Sequence, residues 1–266
     1  MRILHTSDWH VGRTLHGESL HAAHEAWFDH LEDLVRSERL DAVLVAGDIF
    51  DRAIPPLASM DLLSDALSRL AAHTRVILTP GNHDSAQRLG FASELLGDRL
   101  VVRSRVRGVG TPVELADAAG GTGALLYPLP YLDPEMTRRE LGEEDAPVAR
   151  SHEAVLTAAM ARVNADLAAR RQAAGRRVPA MVAAHAFVVG GEPSESERDL
   201  RVGGVETVPA GVFGTKADYL ALGHLHGPQE VPAGIPARYA GSPVAFSFSE
   251  RSHTKSSAII TLEEGR

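Results

Sequence analysis

Five short, mostly apolar runs in this 266-residue chain each stop at residues that can hold a metal ion, and that repeated ending constrains the fold more than any other feature. Arg2 to Thr6 leads to Asp8-Trp9-His10, Ala42 to Ala46 to Gly47-Asp48, and Arg75 to Thr79 to Gly81-Asn82-His83-Asp84. Ala180 to Ala184 leads to His185, and Tyr219 to Leu222 to Gly223-His224-Leu225-His226. Runs this short, bounded by glycine and polar residues, read as buried strands. Oxygen and imidazole donors at the ends of neighbouring strands converge on one crevice, where they can hold two divalent cations against a phosphate ester.

Helical patterns separate the strands. Leu20, Ala23, Trp27, Leu31 and Leu34 recur at three- and four-residue steps, as do Met60, Leu63, Leu67 and Leu70 after Pro55-Pro56. A longer helix is expected from about Ser151 to Ala174, ended by Gly175. Leu100 to Leu129 reads as strands and turns, with a loop tip at Gly120-Gly121-Thr122-Gly123. That glycine cluster lacks the Lys-Ser/Thr of a phosphate-binding P-loop. Arg238-Tyr239-Ala240 and Ser257 to Leu262 are strand-like, and Asp133 to Arg150 is polar enough to be an exposed excursion. The expected class is α/β, a layered sandwich of two mixed β-sheets flanked by helices.

The chain has no cysteine, so thiolate metal sites, disulfides and a cysteine nucleophile are excluded, and any metal must rest on His, Asp and Asn. A net charge of −8 is the wrong sign for holding nucleic acid by a broad basic surface. The arginines at 99, 103, 105 and 107, at 138 and 139, and at 170, 171, 176 and 177 read as solvated faces. No run approaches membrane-spanning length, and the chain enters its first strand at Arg2 without room for a signal peptide. The expected location is cytoplasmic.

Taken piece by piece, Asp8 and His10 flank one residue, so in an extended segment both side chains point the same way. His224 and His226 repeat that spacing. Asp48 sits where a buried strand meets its loop, and its two oxygens can bridge two cations. Asn82 offers a neutral oxygen and His83 an imidazole beside it, with Asp84 expected to accept a proton from His83 and raise its basicity. His185 would equally suit a core histidine satisfied by the backbone. His5, His16, His21, His24, His30, His73, His152 and His253 lack strand-end placement and read as structural or exposed.

Order and identity together resemble the calcineurin-like metallophosphoesterases, whose pattern is Asp-x-His, Gly-Asp, Gly-Asn-His-Asp/Glu, His, Gly-His-x-His. Within them the chain is similar to the SbcD-type nucleases, through Gly47-Asp48-Ile49-Phe50-Asp51, His185-Ala186-Phe187-Val188, Ser194-Glu195-Ser196-Glu197-Arg198 and Gly241-Ser242-Pro243. The resemblance implies that Asp8, His10 and His226 hold one metal, that Asn82, His185 and His224 hold a second, and that Asp48 bridges them. It makes His83 and Asp84 catalytic without ligating. It implies Mn²⁺, although a mixed carboxylate, amide and imidazole site also takes Mg²⁺, Fe²⁺ or Zn²⁺. Two dications with two carboxylate ligands leave a formal +2, enough to balance a hydroxide and a phosphodiester.

The activity so implied is exonuclease and single-strand or hairpin endonuclease, acting on DNA ends and hairpins in double-strand break processing with an SbcC-type ATPase. A homodimer through helices near the Gly-Asn-His-Asp motif is implied as well, with Leu62, Leu63, Leu67, Leu89, Phe91, Leu95 and Leu96 supplying the apolar surface. Family chains continue into a DNA-capping region and ATPase-docking helices, whereas this sequence stops at Arg266, so a single nuclease domain over 1–266 is expected. Gly227 stands where many relatives carry a basic residue, which leaves that phosphate contact unassigned. The same ligands also suit a cyclic-nucleotide or other small-molecule phosphodiesterase, and a metal-stabilised scaffold without catalysis is the non-enzymatic alternative.

Overall fold

Every residue of strand β4 (Ala42–Ala46) is buried, and its side chains alternate between two cores. Val43 and Val45 pack with Phe28, Leu31, Leu63 and Leu70, whereas Ala42, Leu44 and Ala46 pack with Ile3, Ile77, Leu126 and Met181. A strand buried on both faces needs no polar alternation, which is why its sequence is continuously apolar. Full burial of a leucine such as Leu44 contributes about 1.5–3 kcal/mol.

In the computed structural model, residues 1–143, 145–197, 207–214 and 216–263 are described; Arg198 and the chain end at Arg266 lie outside them. One sheet has the order β15-β1-β4-β5-β6, with β1 (Arg2–Thr6), β5 (Arg75–Thr79) and β6 (Leu100–Val102) parallel to β4 in succession and β15 (Ala258–Thr261) antiparallel to β1. The other has the order β13-β14-β12-β9-β8-β7. Here β8 (Thr122–Pro128), β9 (Ala180–His185), β12 (Tyr219–Gly223) and β14 (Ala237–Tyr239) run parallel, and β7 (Val113–Ala116) and β13 (Gln229–Glu230) close the edges antiparallel. Two-stranded ribbons are formed by β2 (Thr14–Leu15) with β3 (Glu18–Ser19) and by β10 (Phe187–Val188) with β11 (Thr207–Val208).

Helices α1 (His21–Glu38) and α2 (Leu57–His73) cover the outer face of the first sheet. After the short helix α3 (Ala86–Leu89), helix α5 (His152–Ala174) covers the second sheet, packed on α4 (Pro134–Leu141). The expected sandwich of two mixed sheets between helical layers is therefore the observed one. Ser151 caps α5 by accepting from the Ala154 amide, and Gly175 ends it at φ 63°. Most described residues from Asp133 to Arg150 are exposed, as their polarity suggests, yet a helix with a buried face forms among them. Asp133 accepts from the Glu135 and Met136 amides, Pro134 opens a helix, and Pro134, Thr137 and Leu141 are buried. The Asp-Pro-Glu start signal outweighs the polar composition. The basic clusters read as solvated faces are in part tied down by ion pairs: Arg171 and Arg177 pair with Asp218, Arg170 with Asp166 and Glu114, and Arg105 and Arg107 with Glu94.

Candidate metal centre

The carboxyl ends of β1, β4, β5, β9 and β12 meet, and the backbone leaves each strand sharply there. Asp8, His10, Asp48 and His224 have φ of 54°, 44°, 49° and 109°. Left-handed backbone at non-glycine residues costs energy and gathers at functional sites. The extended geometry expected for Asp8-x-His10 and His224-x-His226 is thus corrected. The strands stop at Thr6 and Gly223, and turns, not a pleat, aim the side chains. Amides of Asp8, His10 and Val11 donate to the carbonyls of Gly47, Asp48 and Ile49 at 3.0 Å each, strapping the first loop to the second.

Three motif glycines make room for this convergence. A Cβ on Gly47 would lie 2.2 Å from His185 Nδ1, one on Gly81 2.1 Å from Asp48 Oδ1, and one on Gly223 1.8 Å from the Ala46 carbonyl oxygen. Gly47, at φ 90°, also needs a conformation that other residues rarely adopt.

All seven expected ligands come together. Asp8, His10 and His226 offer atoms within 4.8 Å of one another, as do Asp8, Asp48 and His185. His10 Nε2 lies 3.1 Å from His226 Nε2 and 3.5 Å from Asp48 Oδ2. His185 Nε2 lies 2.8 Å from Asn82 Oδ1 and 3.3 Å from Asp48 Oδ2. The His224 amide donates to both Asp8 oxygens at 3.0 and 3.2 Å, and its ring stands 5.4 Å from that of His185. Asp8 and His10 are wholly buried, and the other acidic and imidazole ligands nearly so.

The protonation pattern follows from the packing of these donors. His185 donates from Nδ1 to the Ala46 carbonyl at 3.1 Å, so its Nε2 faces two oxygens, a position that only a proton or a cation makes favourable. Burial works against the charged ring, but Asp48, Asp8 and the Ala46 carbonyl together outweigh it and push His185 up to about 9. Burial works to raise Asp48 too, yet His185, His10 and His83 hold it well below the usual carboxylate range. Burial pushes Asp8 up to about 6 against the pull of His185 and His226. It holds His10 and His224 well below the ordinary histidine value, so both are neutral donors. The donor set fits divalent cations, with a proton on His185 standing in for one.

The calcineurin-like phosphoesterase family model matches residues 1–228. The chain belongs to the calcineurin-like phosphoesterase family. It is 35% identical over 271 residues to the SbcD subunit of the SbcCD nuclease of Bacillus subtilis (strain 168), covering 100% of this chain and 67% of that protein. It is 36% identical over 278 residues to the SbcD subunit of Rhodobacter capsulatus, again covering 100% and 67%. The chain thus spans about two-thirds of the length of these relatives. The structure of GAP50, the anchor in the inner membrane complex of Plasmodium, shares the fold at a TM-score of 0.52 and 11% identity, over 99% of this chain and 78% of that one. Among the described residues no helix is long and apolar enough to cross a membrane.

Two residues of this phosphoesterase centre are held by partners other than those expected. Asp84 was expected to orient His83. Its carboxylate instead accepts from the Ile49, Phe50 and Gly81 amides, each at 2.9 Å, tying the β4 and β5 loops together. Burial and the Asp48 charge push it up to about 7 against those amides. His83 is oriented by the Asp51 carbonyl oxygen, 2.7 Å from Nδ1, while its amide donates to Asp48 Oδ1 at 2.9 Å. One ring nitrogen of His83 lies within 4.8 Å of the His10 and Asp48 donors. A cleft of about 820 Å³ opens on the Asn82 side, bordered by Gly81, Asp84, Tyr131, Arg105 and Arg107.

The sequence reading missed the groups behind His226. The His226 amide donates to Glu197 Oε1 at 2.8 Å, and Ser196, Glu250 and Lys255 gather around its ring and carbonyl. Ser194 to Glu197 marked the resemblance without a role. Glu250 and Lys255 lie beyond the last strand-end motif, where no pattern singles them out.

Proposed function

We propose that this chain is the nuclease domain of an SbcD-type subunit, hydrolysing DNA phosphodiesters as an exonuclease and as a single-strand and hairpin endonuclease. Asp8, His10 and His226 hold one divalent cation, Asn82, His185 and His224 a second, and Asp48 bridges them, with Mn²⁺ as the working ion. The observation that carries this reading is the convergence of seven donors, six of them buried and Asn82 half-buried, with His185 Nε2 aimed at two oxygens. When bound, such a pair of cations supplies a nucleophilic hydroxide at neutral pH and neutralises charge on the phosphate. His83, held from Asp51, stabilises the phosphate or protonates the leaving 3′ oxygen, and Asp84 keeps the two loops in register around it.

Similarity to SbcD subunits over the whole of this chain, together with the packing of Ser196 and Glu197 on His226, favours DNA over a cyclic nucleotide. The deciding experiment is Mn²⁺-dependent digestion of end-labelled duplex and single-stranded DNA beside bis-p-nitrophenyl phosphate and cyclic nucleotides, with and without an SbcC-type ATPase. DNA cleavage is expected, stimulated by the ATPase. Activity on cyclic nucleotides alone would replace this reading with the small-molecule one, and no activity on any substrate would favour the scaffold.

Assembly and location belong to the same proposal: a cytoplasmic enzyme, dimeric through the elements flanking the Gly-Asn-His-Asp turn. Leu62, Leu63, Leu67 and Leu89 pack inward on the α1–α2 side. Phe91, Leu95 and Leu96 remain exposed, as do Ile54, Leu57 and Met60. Exposed apolar side chains in this number suit a twofold contact. Light scattering at micromolar concentration should give twice the 28.4 kDa chain mass, and a monomer throughout would remove the dimer.

A further inference from the structure

The far ring nitrogen of His226 meets side chains, and their proton inventory fixes the state of the ring. His226 Nδ1 lies 2.5 Å from Ser196 Oγ and 3.3 Å from Glu250 Oε1. Ser196 donates its hydroxyl proton to Glu250, since a carboxylate only accepts. With that proton spent, Ser196 Oγ is an acceptor toward the ring, so Nδ1 carries a proton and, in the neutral ring, Nε2 has the lone pair. That lone pair faces the centre, beside His10 Nε2 at 3.1 Å.

Glu250 is buried, and its remaining acceptor capacity is filled. Lys255 Nζ lies 2.5 Å from Oε2, and the Phe246 amide donates to the same oxygen at 3.2 Å. Lys255 also donates to the His226 carbonyl at 3.0 Å and to Ser242 Oγ at 2.8 Å. The ion pair therefore braces both the ring and the backbone of one ligand. A buried ion pair adds little net stability against apolar replacements, so its contribution here is orientation.

We propose that Glu250, acting through Ser196 and braced by Lys255, is a positioning residue that holds His226 in its Nδ1–H tautomer and thereby sets the affinity of the Asp8–His10–His226 metal position. The proposal rests on the reading of that trio as a metal position. Groups that orient a ligating histidine in this way change metal affinity by about 10- to 100-fold when removed.

The test uses the full 266-residue chain as wild type, Glu250→Gln and Ser196→Ala. Two readouts are taken: Mn²⁺ titration by calorimetry with electron paramagnetic resonance, and two-bond ¹H–¹⁵N spectra of the His226 ring in metal-free protein. In Glu250→Gln the new amide can donate to Ser196, whose hydroxyl then turns to His226, so the ring should shift to Nε2–H. One Mn²⁺ should weaken by about 10- to 100-fold while the other binds as in wild type. Ser196→Ala leaves the Glu250–Lys255 pair in place, so it carries the test if Glu250→Gln does not fold, and it should weaken the same Mn²⁺ by a smaller factor. Unchanged affinity for both ions, equal weakening of both, or retention of Nδ1–H in both variants would overturn the proposal. A wild-type chain that takes up no Mn²⁺ would instead overturn the metal-centre reading beneath it.

Discussion

The two halves of the proposed metal centre are held in different ways. Around Asn82, His185 and His224 the support is backbone: the Ala46 carbonyl orients His185, and glycines 47, 81 and 223 let chain and ligand approach within distances that a Cβ would block. Around Asp8, His10 and His226 backbone bonds also hold the loops, but side chains are added to them, with Ser7 donating to Asp8 at 2.6 Å and Ser196, Glu197, Glu250 and Lys255 behind His226. A half built on close backbone approach tolerates almost no change at its glycines. A half propped by side chains can be tuned residue by residue.

Asp48, proposed to bridge, belongs to both halves, and its loss should break both. Asp48→Asn removes the charge shared by two cations and the one that holds a proton on His185, so at least one metal is expected to be lost, with activity falling by more than about 100-fold, beyond the effect of a supporting residue. Elemental analysis that still finds two metals per chain would sink the bridging role. His83 should behave as part of neither half: His83→Ala is expected to keep both metals and to slow turnover by roughly 10²–10⁴-fold. Loss of a metal in that variant would move His83 into the ligand set.

This contrast also explains what could be read from the sequence. Close backbone approach requires glycine, so Gly47-Asp48, Gly81-Asn82 and Gly223-His224 stand out as punctuated motifs at the ends of apolar runs. The sheets were legible for a related reason, because a strand buried on both faces, such as Val43-Leu44-Val45, leaves a continuous apolar run. Side-chain support leaves no such mark. Glu250 reaches His226 across 24 residues and Ser196 across 30, and neither spacing is periodic. The role of Asp84 was misread for a similar reason: adjacency to His83 suggested a pair, whereas the amides of Ile49 and Phe50, brought close by β4 to β5 pairing, compete successfully for the carboxylate.

The backbone-held half can be challenged at a single atom. A Cβ on Gly81 would lie 2.3 Å from the Asp48 amide nitrogen as well as against its carboxylate, and neither the amide nor the strand behind it can yield. Gly81→Ala should therefore cost about 1–3 kcal/mol of stability, the range for overpacking a dense site. Urea denaturation of the metal-free protein measures this directly. A variant as stable as wild type, with both metals in place, would show that the half is less rigid than its glycines imply.

The smallest expected effect separates the halves by pH. Asp8 is raised to about 6, so its carboxyl is protonated below that pH and ionised above it, and a proton competes with metal there only under acid conditions. His185 is raised to about 9, so its ring is protonated throughout the neutral range and metal must displace that proton. His10 and His224, held low by burial, are already neutral and add no slope. Between pH 6.5 and 8.5 the affinity of the second position should rise with pH by up to about tenfold per unit, because His185 must exchange a proton for a cation, and the Asp8 carboxyl should add little to the slope of the first. Calorimetry of Mn²⁺ uptake in buffers of different ionisation enthalpy should then find about one proton released from His185 near pH 7.5, with a further fraction from Asp84, which is raised to about 7. Equal pH slopes for the two ions would mean that the Asp48–His185 pair does not divide the centre, and that the backbone-held half is no more proton-locked than the side-chain-held one.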